Sequence, residues 1–401
     1  MSDAPTCTAA DRNGYLRRVG LLALIAGVAG AVACAAGYGG GSKAFFAGYL
    51  VGFLFWLGIS LGSMVVAMLH GVTGGAWGLA IRRIAEAGFS TVPLMALCFV
   101  PIAMNVASIY EWAEPSLVEH DELIQRKTWW LNIDRWQTCA IVYFGVWIGT
   151  AALLGLLAPG EDPDTESPRG LWLQRVSGLG LILYGFGITF AAVDWVMSLE
   201  PHWFSTMYGV IYMGGQTLAG MSFVVLIASL LERFPPWNRI VTPDRRHDLG
   251  NLLLTMVMFW AYVSFMQYLI IWSGNLPEEN IWYLHRSVGG YELVVLVLMG
   301  FHFAVPFLLL LSRDVKRDRH RLTGLVAWLL VMRLVDLYWL AVPAFFPDTL
   351  TVPWQTMAAL VAIGGFWLAV FAWRLLARAD APLYDPLLTE AADERAGHAA
   401  A

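Results

Sequence analysis

The sequence predicts an all-α integral membrane protein of ten transmembrane helices, and three observations carry that expectation. Of 401 residues, 58% are hydrophobic and only 14% charged, against roughly 25% charged in soluble domains. Nine stretches of eighteen or more residues hold no Asp, Glu, Lys or Arg, and a tenth is apolar except for two charges. Basic residues fall mainly in alternate loops, as they do in multi-span proteins.

The charge-free stretches run over 19–42, 44–69, 87–110, 136–160, 176–193, 203–231, 249–277, 293–312 and 349–373. Each is long enough to cross a hydrocarbon core, which takes about 20 residues. The remaining segment, 322–347, carries Arg333 and Asp336 in its interior. In chain order these are spans 1 to 10, with 322–347 as span 9. The connecting loops are short, so no soluble catalytic domain fits among them. A membrane domain over 18–378 is expected, with a segment 1–17 before it and an acidic tail 379–401 after it.

Nineteen of the 25 Lys and Arg residues lie at the two ends and in the loops after spans 2, 4, 6 and 8. Five lie in the other loops, and Arg333 is inside span 9. By the positive-inside rule both termini are cytoplasmic, and a bacterial inner-membrane location is expected. Arg17-Arg18 before an apolar run also fits a signal peptide, and Ala33-Cys34 loosely resembles a lipoprotein cleavage site. The charge alternation requires that first segment to remain as span 1.

Cofactor chemistry is constrained by what is missing. Cys7, Cys34, Cys98 and Cys139 stand far apart with no CxxC or CxxCH, which leaves iron–sulfur clusters and c-type haem unsupported. Of eight histidines only His302 lies deep in a span, whereas a membrane b-haem takes two facing imidazoles. No phosphate-binding loop is present, and no nucleic acid partner is called for. If the chain serves redox chemistry, the metals belong to partner subunits.

The chain repeats itself weakly at about 157 to 162 residues. Gly52, Gly58, Ser60, Leu61 and Met64 of span 2 align with Gly209, Gly215, Thr217, Leu218 and Met221 of span 6. Arg83, Glu86 and Gly88 align with Arg245, Asp248 and Gly250, and Val193-Asp194 of span 5 corresponds to Val335-Asp336 of span 9. Two tandem four-helix bundles are therefore expected, about 44–200 and about 203–347, flanked by spans 1 and 10.

Ionisable groups inside a bilayer are costly and mark either a function or a buried pair. Arg333 lies about 16 Å into span 9, near mid-depth, and Asp336 shares its helical face three residues on. His302 of span 8 falls at similar depth and is expected to meet Arg333 across the bundle, while Glu292 lies near the outer end of the same span. Asp194 belongs to the outer half of span 5, just before Glu200 and His202, so that two carboxylates and an imidazole gather in one outer region. On the cytoplasmic side His70, Glu86 and Asp248 stand at span ends, where a proton path would begin. All ten are candidates for handling protons or quinone; a structural role as buried pairs or helix-end charges is the plainer alternative, and it weighs most for the cytoplasmic three.

Residues 194–209, reading Asp-Trp-Val-Met-Ser-Leu-Glu-Pro-His-Trp-Phe-Ser-Thr-Met-Tyr-Gly, together with Asp248-Leu249-Gly250-Asn251 and residues 272–279, Trp-Ser-Gly-Asn-Leu-Pro-Glu-Glu, give the chain a likeness. It resembles the second large NrfD-like, polysulfide-reductase-type membrane subunit of alternative complex III, a bacterial quinol:electron-acceptor oxidoreductase. The resemblance covers roughly 15 to 375. It implies the ten-span fold, a place beside quinone and a contribution to proton translocation. It also implies as partners a companion NrfD-like membrane subunit that holds the quinol pocket, an iron–sulfur subunit, and multihaem cytochrome c subunits carrying the haem c. Two other classes compete: a secondary transporter, for which midplane charges and repeats are also usual, and a plain membrane anchor for redox subunits. The parallel four-span repeat speaks against the first and buried Arg333 against the second.

The charge bias generates a direct test of topology. A phosphatase fused to the C-terminus is expected to stay inactive in intact cells, and activity outside the membrane would overturn the assignment.

Overall fold

The computed structural model describes residues 7–39, 42–157 and 168–378; the acidic tail assigned to 379–401 and the first six residues lie outside them. Helices make up 84% of the structure, with no strand among the described residues. Ten helices are long and apolar enough to span a membrane: Ala9–Gly37, Lys43–Thr73, Arg82–Met104, Ile133–Leu157, Pro168–Leu199, Tyr208–Leu231, Pro243–Gly274, Tyr291–Leu311, Arg319–Ala344 and Trp354–Ala377. They are spans 1 to 10 in order. The face that holds the start of span 1 and the end of span 10 is called the terminal face, and the opposite one the far face.

Helix is the form these segments take because hydrocarbon offers no partner for backbone N–H and C=O groups. The ends, which leave four such groups unmatched, are closed by side chains. Thr8 and Asp11 form a reciprocal capping box on span 1. Ser42, Thr242 and Asp318 accept from the third residue of spans 2, 7 and 9. Span 7 stops at Asn275, whose left-handed backbone (φ 49°) returns its N–H to Ile271.

Two departures from the sequence reading have local causes. Span 3 ends at Met104 rather than near residue 110: Asn105 bonds its side-chain amide to the carbonyl of Pro101 at 2.8 Å, and the chain leaves the helix at Asn105. Span 5 is longer than its charge-free stretch, because Arg169 and Arg175 sit in its first turns and Asp194 near its end, all tolerated within one continuous helix.

Span 2 is the most enclosed helix. It packs on spans 3, 5, 6, 9 and 10, while span 1 packs almost wholly on span 10. Spans 2 and 6 cross with their backbones in contact. A Cβ on Gly62 would stand 2.9 Å from the Cα and the nitrogen of Gly220 and would overlap the Gln216 carbonyl, and a Cβ on Gly220 would overlap the backbone of Gly62. Small residues of this kind are what membrane helices use to approach closely.

Gly220→Leu is accordingly expected to push spans 2 and 6 apart and to lower the thermal stability of the purified chain in detergent, whereas Gly145→Ala, which meets nothing within 4 Å, should leave it unchanged or slightly raised. Equal melting temperatures for the two variants would show that the crossing is not tight.

Candidate functional site

The aspartate of span 5 is a closed site. Asp194 is fully buried, and its carboxylate accepts from Trp130 Nε1 (3.1 Å), Arg135 Nη1 (3.0 Å) and Nη2 (3.4 Å), and Tyr143 OH (2.7 Å). The Arg135 guanidinium also lies 3.5 Å over the Trp130 ring. The backbone carbonyl of Asp194 takes Trp136 Nε1 and Ser198 Oγ. With every oxygen engaged, Asp194 ties the end of span 5 to span 4 and the loop before it. No acceptor capacity is left over for a ligand.

Its repeat counterpart is different. Arg333 and Asp336 pair within span 9, both about 2% exposed, and Gly215 of span 6 makes the room: a Cβ there would overlap the guanidinium. Around the pair stand Tyr212 and Gln216 of span 6, Trp260 of span 7 and His302 of span 8. The Arg333 Cζ lies 5.6 Å from the Tyr212 ring, and the His302 and Trp260 rings meet edge to face at 4.2 Å. His302 is completely buried and close enough to Arg333 to feel its charge. Tyr184 of span 5 donates to Gln216 Oε1 at 2.9 Å and closes the cluster on that side.

Local chemistry places His302. Pro306 cannot donate a backbone bond, and its ring crowds the carbonyl four residues back, which is that of His302. The helix answers by widening to a π-helical turn over Leu298–Ala304. Trp328 Nε1 of span 9 takes the Phe301 carbonyl in this turn at 2.8 Å.

What distinguishes the cluster is unmet bonding capacity. His302 Nδ1 and Nε2, Arg333 Nη2, Gln216 Nε2, Tyr212 OH and Trp260 Nε1 are buried without a hydrogen-bond partner. Tyr212 is adjacent to the Gln216 amide, and Trp260 to the Asp336 carboxylate, but both pairs are out of bonding geometry. Buried polar groups are almost always bonded to protein or ordered water, so six orphans around one ion pair mark a place for small polar molecules.

No protein-family model matches the chain, and no curated protein does.

The other expected residues fall elsewhere. Asp194, Glu200 and His202 are not bonded to one another; Asp194 is paired by Arg135 at the start of span 4, and the other two enter separate pairs with groups of two different loops. Glu200 takes Arg286 Nη2 at 2.7 Å and His285 at 3.1 Å. His202 takes Asp121 at 2.6 Å. Nor is Asp194 a partner of Arg333, whose carboxylate is Asp336. Glu292 is exposed and accepts the Gly290 N–H at 3.0 Å, which makes it a helix-start residue. On the terminal face Glu86 lies between Arg82 and Arg83, His70 bonds the Gly75 carbonyl, and Asp248 is exposed beside His247. None of the three reaches the mid-depth cluster.

Sequence reasoning missed Arg135, Trp130 and Tyr143 around Asp194, and Tyr184, Tyr212, Gln216 and Trp260 around Arg333. One signal was available: Tyr208, Tyr212 and Gln216 recur every four residues along the mainly apolar span 6, so they share a face.

The far-face pair Glu200–His285 lies outside the spans and generates a pH prediction. Burial raises the Glu200 carboxyl, but Arg286 and His285 outweigh it and hold its pKa below the usual value. The hydrogen bond that His285 donates to the Glu200 carboxylate, against some burial, raises His285 above the usual imidazole. The stabilisation from Glu200 is complete above its unfolded pKa of about 4.3 and is lost as pH falls through its depressed folded value. That from His285 is complete below about 6.5 and is lost as pH rises through its raised folded value. Proteolysis of the far-face loops should thus accelerate at both ends of the range, and His285→Gln should abolish the alkaline limb alone; a limb that survives in that variant would refute the assignment.

Proposed function

We propose that this chain is a membrane subunit of a bacterial quinol:electron-acceptor oxidoreductase of the alternative complex III type. It lies beside quinone in the inner membrane and handles protons, while partners handle electrons. The observation that carries this reading is the mid-depth cluster of Arg333, Asp336 and His302 with its unpartnered polar atoms. A plain anchor has no use for such a cluster, and bilayers tolerate one only where it serves. The motif of residues 194–209 supports the family, and the contact pattern supports its architecture. Contacts that link spans 2 to 5 among themselves and spans 6 to 9 among themselves favour two four-helix bundles, with span 2 packed also on spans 6, 9 and 10 and span 5 on span 6.

Quinol gives up two electrons and two protons. In this reading the electrons leave through metals of an iron–sulfur subunit and multihaem cytochrome c subunits, and a companion NrfD-like subunit holds the quinol. This chain contributes no redox step. Its carboxylate, imidazole and phenols accept, hold and release protons near the quinone. The terminal face is cytoplasmic, as the basic loops require.

Replacing either member of the Arg333–Asp336 pair alone leaves an uncompensated buried charge and should cost on the order of 3–5 kcal/mol, with poor assembly of the complex. Replacing both, as Arg333→Met with Asp336→Leu, should restore assembly and still impair quinol oxidation or the proton movement coupled to it. A double variant with wild-type turnover and proton stoichiometry would reduce the pair to a structural element.

A further inference from the structure

We infer that the mid-depth cluster of the second half is a water-holding well that opens to the far face only. It deepens the proton-handling reading by naming the side with which protons exchange.

The orphans supply the first part. Arg333 Nη2, Gln216 Nε2, Trp260 Nε1, Tyr212 OH and the two nitrogens of His302 surround one ion pair. Donors outnumber acceptors, Asp336 already balances the charge of Arg333, and a buried water with its two to four partners satisfies such a set without adding charge. A lone anion would bring an unbalanced negative charge.

The route outward follows span 6. Gln216, Tyr212 and Tyr208 stand four residues apart on one face, about 6 Å per step along the axis. Tyr212 neighbours Arg333. Tyr208 is buried and lies within the fields of Glu200 and Arg286. Glu200 in turn bonds His285, which is 43% exposed on the far face. Phenols and water pass a proton by accepting one on oxygen and releasing their own, so nothing along this row changes its charge after each transfer.

Toward the terminal face the row stops. Span 6 offers Ser222, six residues and about 9 Å beyond Gln216, and Ser229 about 10 Å further on; both hydroxyls are buried without a partner, but each stands singly. The space at that level is packed with Leu253, Val257, Leu310, Val326, Leu329 and Met332, none more than 4% exposed. A single hydroxyl cannot bridge such a gap through apolar side chains.

The test uses the full-length chain in membrane vesicles of both orientations, with an impermeant methanethiosulfonate reagent on one side at a time and adducts read at each residue by mass spectrometry. Tyr212→Cys should be modified from the far face and not from the terminal face, and Ser222→Cys from neither. An adduct at Ser222→Cys from the terminal face would show a two-sided path, and an adduct at Tyr212→Cys from the terminal face a well that opens on the other side; both overturn the inference. Radiolytic hydroxyl-radical labelling of the unmodified protein provides the second measurement. Oxidation at buried Tyr212 and Trp260 is expected from adjacent bound water, and its absence overturns the well even if a cysteine variant misfolds. No quinol or partner is needed, so the inference can fail while the quinol-complex reading stands, and the reverse.

Discussion

A polar group in hydrocarbon must find its partner within the protein, because an unmatched one costs several kcal/mol. That constraint shapes this molecule more than any other. It forces the ten spans to be helices and draws Ser, Thr and Asp to their ends. It also sorts the buried charges into two kinds. Those whose every bond is met hold helices together. Those left with open valences must be met by something that is not protein.

The two halves of the chain show both outcomes at corresponding positions. Asp194 receives its cation from span 4 and two further donors from aromatic side chains, so its burial is compensated by protein groups alone. Asp336 receives Arg333 from its own helix, and the groups facing the pair from spans 6, 7 and 8 are left over. Room for this arrangement comes from two backbone features. Gly215 yields the volume that the guanidinium fills, and the π-turn enforced by Pro306 sets His302 against Trp260. Space and orientation are thus supplied by residues that carry no charge, and the ionisable groups depend on them.

Much of the fold was legible because a bilayer leaves a coarse signature in composition. Nine charge-free runs and one broken only by Arg333 and Asp336 located all ten helices, with ends that differ by up to ten residues, and the i, i+3 spacing of Arg333 and Asp336 was sufficient to pair them. The partners of Asp194 were not legible, since Tyr143, Arg135 and Trp130 lie 51, 59 and 64 residues away and no periodicity links them to it. The same holds for Glu200, which meets His285 and Arg286 from a loop 85 and 86 positions on. Grouping Asp194, Glu200 and His202 by their nearness in sequence failed for a related reason. A helix end and the loop beyond it point successive side chains in different directions, and each binds whichever neighbour it faces.

The weak repeat gains physical meaning from this difference. The buried aspartates of spans 5 and 9 make equivalent demands, and one is met from a neighbouring helix while the other is met within its own. The internal solution closes the ion pair within span 9, so spans 6, 7 and 8 keep the Tyr212 hydroxyl, the Gln216 amide nitrogen, Trp260 Nε1 and the His302 ring open to other partners. A half locked by cross-helix bonds can hold a rigid frame. A half whose ion pair closes within one helix can host water beside that pair without losing the bonds that keep its helices folded. The division between frame and site therefore follows from where a single arginine stands in each half: at the start of span 4 in one, and in the middle of span 9 in the other.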